Sequence, residues 1–149
     1  MRLVVQRVSR AAVRVGDELL GEIATGALVL AGIGATDDEA VVDRMADKLV
    51  GLRYFPDADG RSNLTIADVG GNLLVVSQFT LYGDVRRGRR PGFTGAAAPE
   101  LAEGLVDRFV ERLRSAGHRV ETGRFGAMMD VELVNYGPFT LVIDSDRDL

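Results

Sequence analysis

Two short apolar runs do most to limit how this 149-residue chain can fold. Ala27-Leu28-Val29-Leu30-Ala31-Gly32-Ile33 and Leu73-Leu74-Val75-Val76 contain no polar side chain and show no in-out alternation. Runs of that length and pattern fit strands buried on both faces. Other segments arrange themselves around this pair. Leu3 to Val8 is apolar, Val13 and Val15 alternate with Ala12 and Arg14, and Gly16-Asp17 marks a turn. Glu18 to Ile23 resumes an extended pattern until Thr25-Gly26, so an N-terminal strand and a hairpin are expected.

Two helices complete the pattern. Thr36 and Glu39 form a capping box, and Val41, Val42, Met45 and Leu49 recur at helical spacing up to Gly51. A second helix opens near Pro99, with Glu100 and Glu103 at its positive end. Leu101, Leu105, Phe109 and Leu113 are expected on its inner face, and Gly117 stops it. Leu52 to Phe55 reads as a strand closed by the turn Pro56-Asp57-Ala58-Asp59-Gly60. Val131 to Val134 and Phe139 to Ile143 read as two final strands, separated by Asn135-Tyr136-Gly137-Pro138. No linker, repeat or low-complexity stretch interrupts the chain. The expectation is one α/β domain over residues 1–149, mixed and mostly antiparallel, with two main helices.

Composition narrows the function classes. A chain 46% hydrophobic and 27% charged is that of a soluble globular protein, and no apolar run nears the about 18 residues of a membrane span. Charge interrupts Met1 to Arg7 too early for a signal peptide. Cysteine is absent, which removes disulfides, thiolate nucleophiles and cysteine-held metals and agrees with a reducing cytoplasm. Net charge is −4, so any contact with nucleic acid must be local. Arg86-Arg87-Gly88-Arg89-Arg90, between Gly83 and Pro91-Gly92, reads as a mobile basic loop. Either it takes phosphates or it is a solvated loop.

Ordinary hydrolytic constellations are missing. His118 is the single histidine and sits just past the second helix, where capping the helix dipole is its expected role. No Ser-His-Asp set can be completed without it, no G-x-S-x-G elbow occurs, and zinc sites built on histidine or cysteine are out of reach. Asp37-Asp38 and Asp57-Asp59 fall in caps and turns, and Gly70-Gly71 lacks a P-loop lysine. No metal or cofactor is therefore expected. Chemistry must use hydroxyls, backbone groups or the substrate itself. Ser77-Gln78-Phe79-Thr80, at the end of a buried strand, could orient an ester and stabilise an oxyanion; a polar cap on the sheet is the other reading. Gly137-Pro138 alone indicates only a turn.

Five segments in order resemble the D-aminoacyl-tRNA deacylase family: Val5 to Ala11, Val75 to Tyr82, Arg90-Pro91-Gly92-Phe93, Glu121 to Gly126, and Leu133 to Pro138. The resemblance runs from the first residue to about Ser145. It implies a cytoplasmic homodimer with a two-layered, barrel-like β arrangement backed by helices. It also implies that Ser77, Gln78, Phe79 and Thr80 hold the aminoacylated 3′-adenosine of a tRNA. Gly137-Pro138, cis in that family, would enter the site from the partner protomer and exclude L-amino acids. Catalysis would rest on backbone groups and the ribose 2′-OH of the tRNA, and glycyl-tRNA would be a second substrate. Arg86, Arg87, Arg89 and Arg90 are the expected tRNA contacts. Tyr136 and Phe139 stand where the family usually carries a small acidic residue and valine, and Met128 where an acidic residue is expected. A paralogue with relaxed chirality and a noncatalytic tRNA-binding module are the alternatives.

Overall fold

The computed structural model describes residues 1–149. Its organising element is β1 (Arg2–Val15), a 14-residue strand with a full complement of neighbours. Along one edge, Arg2 to Val8 pairs with β3 (Gly26–Gly32) and Ala11 to Val15 pairs with β2 (Glu18–Ile23). Along the other edge it pairs antiparallel with β8 (Asp130–Asp144) for nearly its whole length. β6 (Asn72–Ser77) then adds parallel to β3, and β7 (Val120–Thr122) parallel to β6. The result is one six-stranded mixed sheet plus a small hairpin of β4 (Phe55–Pro56) and β5 (Ser62–Leu64).

The sheet curls until β2 approaches β7. A β-carbon on Gly21 of β2 would lie 3.0 Å from Glu121 Cβ and 3.2 Å from the Thr122 carbonyl. Glycine there lets the barrel-like form nearly close. Residues inside the curl, including Val8, Val13, Ile23, Leu28, Leu74 and Val76, form the smaller core cluster. On the opposite face lies the larger one, where Val29, Leu73 and Val75 meet α1 (Glu39–Gly51) and α2 (Pro99–Ser115). Both central runs are thus buried on two faces, as their unbroken hydrophobicity requires.

Several local expectations change. Asp38, not Thr36, caps α1, its side chain accepting from the Val41 N–H at 2.9 Å. Leu52 is only the C-cap of that helix, so the strand anticipated from Leu52 shrinks to Phe55–Pro56. On α2, Leu101 faces solvent, and Ala102, Val106 and Val110 join Leu105, Phe109 and Leu113 on the buried stripe. Val131 to Ile143 is not two strands but part of the single strand β8, with a bulge in the middle.

A buried polar knot ties the chain start to the turn beyond β6. The Met1 ammonium donates to Asp37 Oδ1 and Ser145 Oγ, both at 2.6 Å; Ser145 opens the short α3 (Ser145–Asp148). Asp37 also accepts from the Gly34 N–H at 2.6 Å and the Tyr82 hydroxyl at 3.4 Å. Arg2 covers the Tyr82 ring at 4.5 Å and donates to the Leu81 carbonyl at 3.0 Å. Leu81 and Tyr82 end a single 3₁₀ turn, Phe79–Tyr82, so this knot anchors the turn from behind.

Candidate active site

Strand β6 ends at Ser77, and the Gln78 N–H still donates to the Ala31 carbonyl at 2.8 Å before the chain breaks away. The break is tight. A β-carbon on Gly32 would sit 2.9 Å from the Gln78 carbonyl, so the glycine in β3 makes room for it. Phe79 and Thr80 then open the 3₁₀ turn, where backbone N–H groups have no partner within the helix itself. Gln78 Nε2 donates to Thr80 Oγ1 at 2.5 Å, which fixes that hydroxyl as an acceptor and leaves its proton to be donated elsewhere.

These four residues line one wall of a groove of about 760 Å³. Phe93, the start of α2 at Pro99 and Ala102, and the segment Phe125 to Met129 supply the rest. Phe79 is 55% exposed and meets Phe93 edge-on, with ring centroids 5.1 Å apart. Exposed aromatic faces above an apolar floor suit the stacking of a nucleobase. No carboxylate, imidazole, amine or guanidinium lines this groove. His118 lies outside it, and burial pushes its pKa below the usual histidine range, which favours the neutral ring over the helix-capping cation anticipated.

The basic loop rises from the groove's rim, because Phe93 directly follows it. It is closed at its neck by paired backbone bonds between Asp84 and Gly92, at 2.7 and 2.9 Å. Arg86 is committed within the loop, its guanidinium gripping both Asp84 oxygens at 2.9 and 2.7 Å. The hydrogen bonds from Arg86 hold the Asp84 carboxyl at about 2. Arg87, Arg89 and Arg90 are exposed and unpaired, so three of the four arginines remain available to an anion.

Gly137-Pro138 occupies a different region of the molecule. In β8, Asn135 pairs with Val8 and Thr140 with Gln6, so Tyr136 to Phe139 all stand opposite Arg7. The Gly137-Pro138 peptide bond is cis. Asn135 closes the neck of this bulge: its Oδ1 accepts from the Phe139 N–H at 2.9 Å and its Nδ2 donates to the Phe139 carbonyl at 3.0 Å. Arg7 fills the space beneath. It is only 7% exposed, donates to the carbonyls of Tyr136 at 2.9 Å and Tyr54 at 2.6 Å, and lies under both the Tyr136 and Phe139 rings at 4.9 and 4.7 Å. The two large residues flanking Gly-Pro therefore sandwich a buried cation. Gly137 and Pro138 are exposed and do not line the groove.

Residue spacing alone assigns Arg7 no role, although one charge inside the apolar stretch Leu3 to Val8 is a visible signal. In the groove's far wall, Phe93 and Phe125 fall in segments that resemble the family, but that they and Met129 become neighbours of Ser77 is decided only by the tertiary fold.

The family model for D-Tyr-tRNA(Tyr) deacylase matches residues 4–144. A D-aminoacyl-tRNA deacylase of Symbiobacterium thermophilum is 60% identical over 99% of this chain and 97% of its own. That of Thermotoga petrophila is 54% identical, covering 99% of both. Among solved structures, a c-Myc DNA unwinding element binding protein superposes with a TM-score of 0.91 at 39% identity, over 97% of this chain and 98% of the other. A probable eukaryotic D-amino acid tRNA deacylase shares the fold at a TM-score of 0.85 and 18% identity, over 95% and 97% of the two chains. The match spans strand β1 to the end of β8, and the chain belongs to the D-Tyr-tRNA(Tyr) deacylase family.

Proposed function

We propose that this protein hydrolyses the ester of D-aminoacyl-tRNA, releasing the free D-amino acid and the tRNA. The observation that carries the reading is a groove lined by aromatic rings, hydroxyls and an amide, without any titratable side chain. An aminoacyl ester is already activated and carries the ribose 2′-OH beside its carbonyl, so a protein that orients it need not supply a base. The terminal adenine stacks on Phe79 and Phe93. Ser77 and Gln78 position the ribose, and the N–H groups of Phe79 and Thr80 face the carbonyl oxygen, where negative charge grows. Water adds to the carbonyl carbon, the carbon–oxygen bond to the ribose breaks, and the ribose oxygen regains a proton with help from the neighbouring 2′-OH. Thr80 orients the ester or the water; it has no base beside it that would make it a nucleophile.

Selection of the D form belongs, in this reading, to Gly137-Pro138 of a partner protomer. Inverting Cα exchanges hydrogen for side chain, so a rigid main-chain wall on one side excludes every L-residue and admits D-residues of any size. Glycine escapes such a wall, which makes glycyl-tRNA a second substrate. Two features support a homodimer: the Gly-Pro bulge points away from its own groove, and β8 is an edge strand with Val134, Tyr136 and Val142 exposed. The unpaired arginines of the loop meet tRNA phosphates, and a substrate made during translation places the work in the cytoplasm. Incubation with D-tyrosyl-, L-tyrosyl- and glycyl-tRNA tests the proposal. Rapid loss of the D and glycyl esters with the L ester spared is expected. No hydrolysis of any would overturn the activity, and equal loss of the L form would overturn the selectivity.

A further inference from the structure

A second cavity, of about 330 Å³, adjoins the groove. The two share Ser77 and Phe125, so one hydroxyl and one aromatic ring face both. The second lies further along α2: Ala102 borders the groove, whereas Asp107, Glu111 and Arg114 border the cavity. That offset is about 8–18 Å along the helix axis.

The chemistry of the cavity is specific. Its floor is apolar, with Val106 and Val110 beneath. Arg114 donates to Glu111 Oε1 at 2.8 Å and to the Val120 carbonyl at 3.0 Å, and Arg108 is taken by Glu39 and Asp43. Asp107 is thereby left without a cation, exposed at the mouth. An unpaired carboxylate repels phosphate and accepts hydrogen bonds only, so a ligand must present a donor to it. Ser77 and Thr122 bring hydroxyls, and Arg114 retains further N–H groups, so acceptors on the same ligand are also served. A flat, stackable group with an amino donor beside ring acceptors meets every one of these demands. Cytosine, with its exocyclic amino group next to N3 and O2, is such a group.

Resting on the deacylase reading, we propose that this cavity binds the cytosine preceding the terminal adenosine of the tRNA. Its amino group lies on Asp107, and Phe125 separates the two successive bases. Single strands are commonly held in this way, by aromatic rings between bases that have been pulled out of the helix.

The test uses unacylated RNA hairpins with a single-stranded 3′ end reading CCA or CUA, and the full chain either unaltered or carrying Asp107→Ala. Asp107 is exposed and bonded to nothing in the protein, so the variant keeps its fold. The unaltered protein should bind the CCA end about tenfold more tightly, the usual size of one charged hydrogen bond to a base. Asp107→Ala should abolish that preference while binding the CUA end within twofold of the original. Equal affinity of the unaltered protein for both ends, or a preference that survives Asp107→Ala, overturns the proposal. Hydrolysis of D-tyrosyl-adenosine, which has no preceding base, should be unchanged by Asp107→Ala. A slower rate there would show that Asp107 holds the amino acid's ammonium instead, and would also overturn it. Failure of the deacylase reading would show separately, as no hydrolysis of that ester by the unaltered protein.

Discussion

Ser77 to Thr80 leaves the sheet from a central strand, and Gly137-Pro138 bulges from an edge strand, and the two are held by different forces. The first takes its position from the core: β6 is buried on both faces, Gly32 admits the turn, and the Met1–Asp37–Tyr82 knot braces it. The second touches the core only at its flank, where Phe139 stacks on Tyr54, and its main chain is held by Arg7 and Asn135. In the proposed mechanism, the main-chain N–H groups would then be placed by core packing, and the proposed selectivity would depend on a cation and an amide.

That contrast predicts where damage appears. Arg7→Ala should be the most harmful change, because it leaves the Tyr54 and Tyr136 carbonyls unpaired beneath two rings that lose their partner. A loss of about 3 kcal/mol is expected in urea unfolding, together with a collapse of the D-to-L rate ratio. Gly137→Ala comes next. Gly137 has φ +135°, and a β-carbon there would sit 2.6 Å from Arg7 Nη2. It should cost about 2 kcal/mol and erode discrimination, with D-ester turnover falling far less. Were either variant to lose turnover and selectivity together, the separation of the two regions would be wrong.

Phe79→Ala probes the other region. Its ring is half exposed and braces only Phe93, so unfolding free energy should move by no more than about 0.5 kcal/mol. The KM for D-aminoacyl-tRNA should rise about tenfold from the lost stacking. Converting Arg87, Arg89 and Arg90 together to Gln should lower the salt dependence of tRNA binding by roughly two in log–log slope. Arg86→Gln alone should barely change it, since that charge is spent on Asp84. With the Asp84 carboxyl at about 2, below its ordinary value near 3.9, the pair is intact above about pH 4 and is lost only as pH falls through 2.

The smallest effect is expected from His118→Gln. Burial lowers this pKa, so charging the ring opposes folding: its cost appears as pH falls below about 6.5, and neutral pH is unaffected. Deacylation by the variant should stay within twofold of the original, and neither pH–rate profile should show a histidine inflection. A tenfold loss would mean that a side-chain base reaches the groove after all.

How much was legible depends on the forces each segment needed to fold. Ala27 to Ile33 and Leu73 to Val76 were readable because a strand buried twice has no polar residue to hide. β5 and β7 were not, since three residues carry no period, and their pairing is made by neighbours. Gly137-Pro138 reads locally as a turn, yet β1 on one side draws both flanks into a single strand. The pair Asp37-Asp38 divides in the same way. Asp38 caps its own helix, a local matter, whereas Asp37 reaches 36 residues back to the Met1 ammonium.

By itself, the sequence determined the buried strands, both main helices, the lack of cysteine, the single histidine, and the motifs that mark the family. Those are properties of residue type and spacing, which operate over a few residues. Only the tertiary structure decided that Ser77 to Thr80 faces a groove free of titratable groups, that Arg7 underpins the Gly-Pro bulge, and that Asp107 stands unpaired beside Phe125. Each depends on distant segments brought within hydrogen-bond or van der Waals reach, and such contacts exist only once the core has closed.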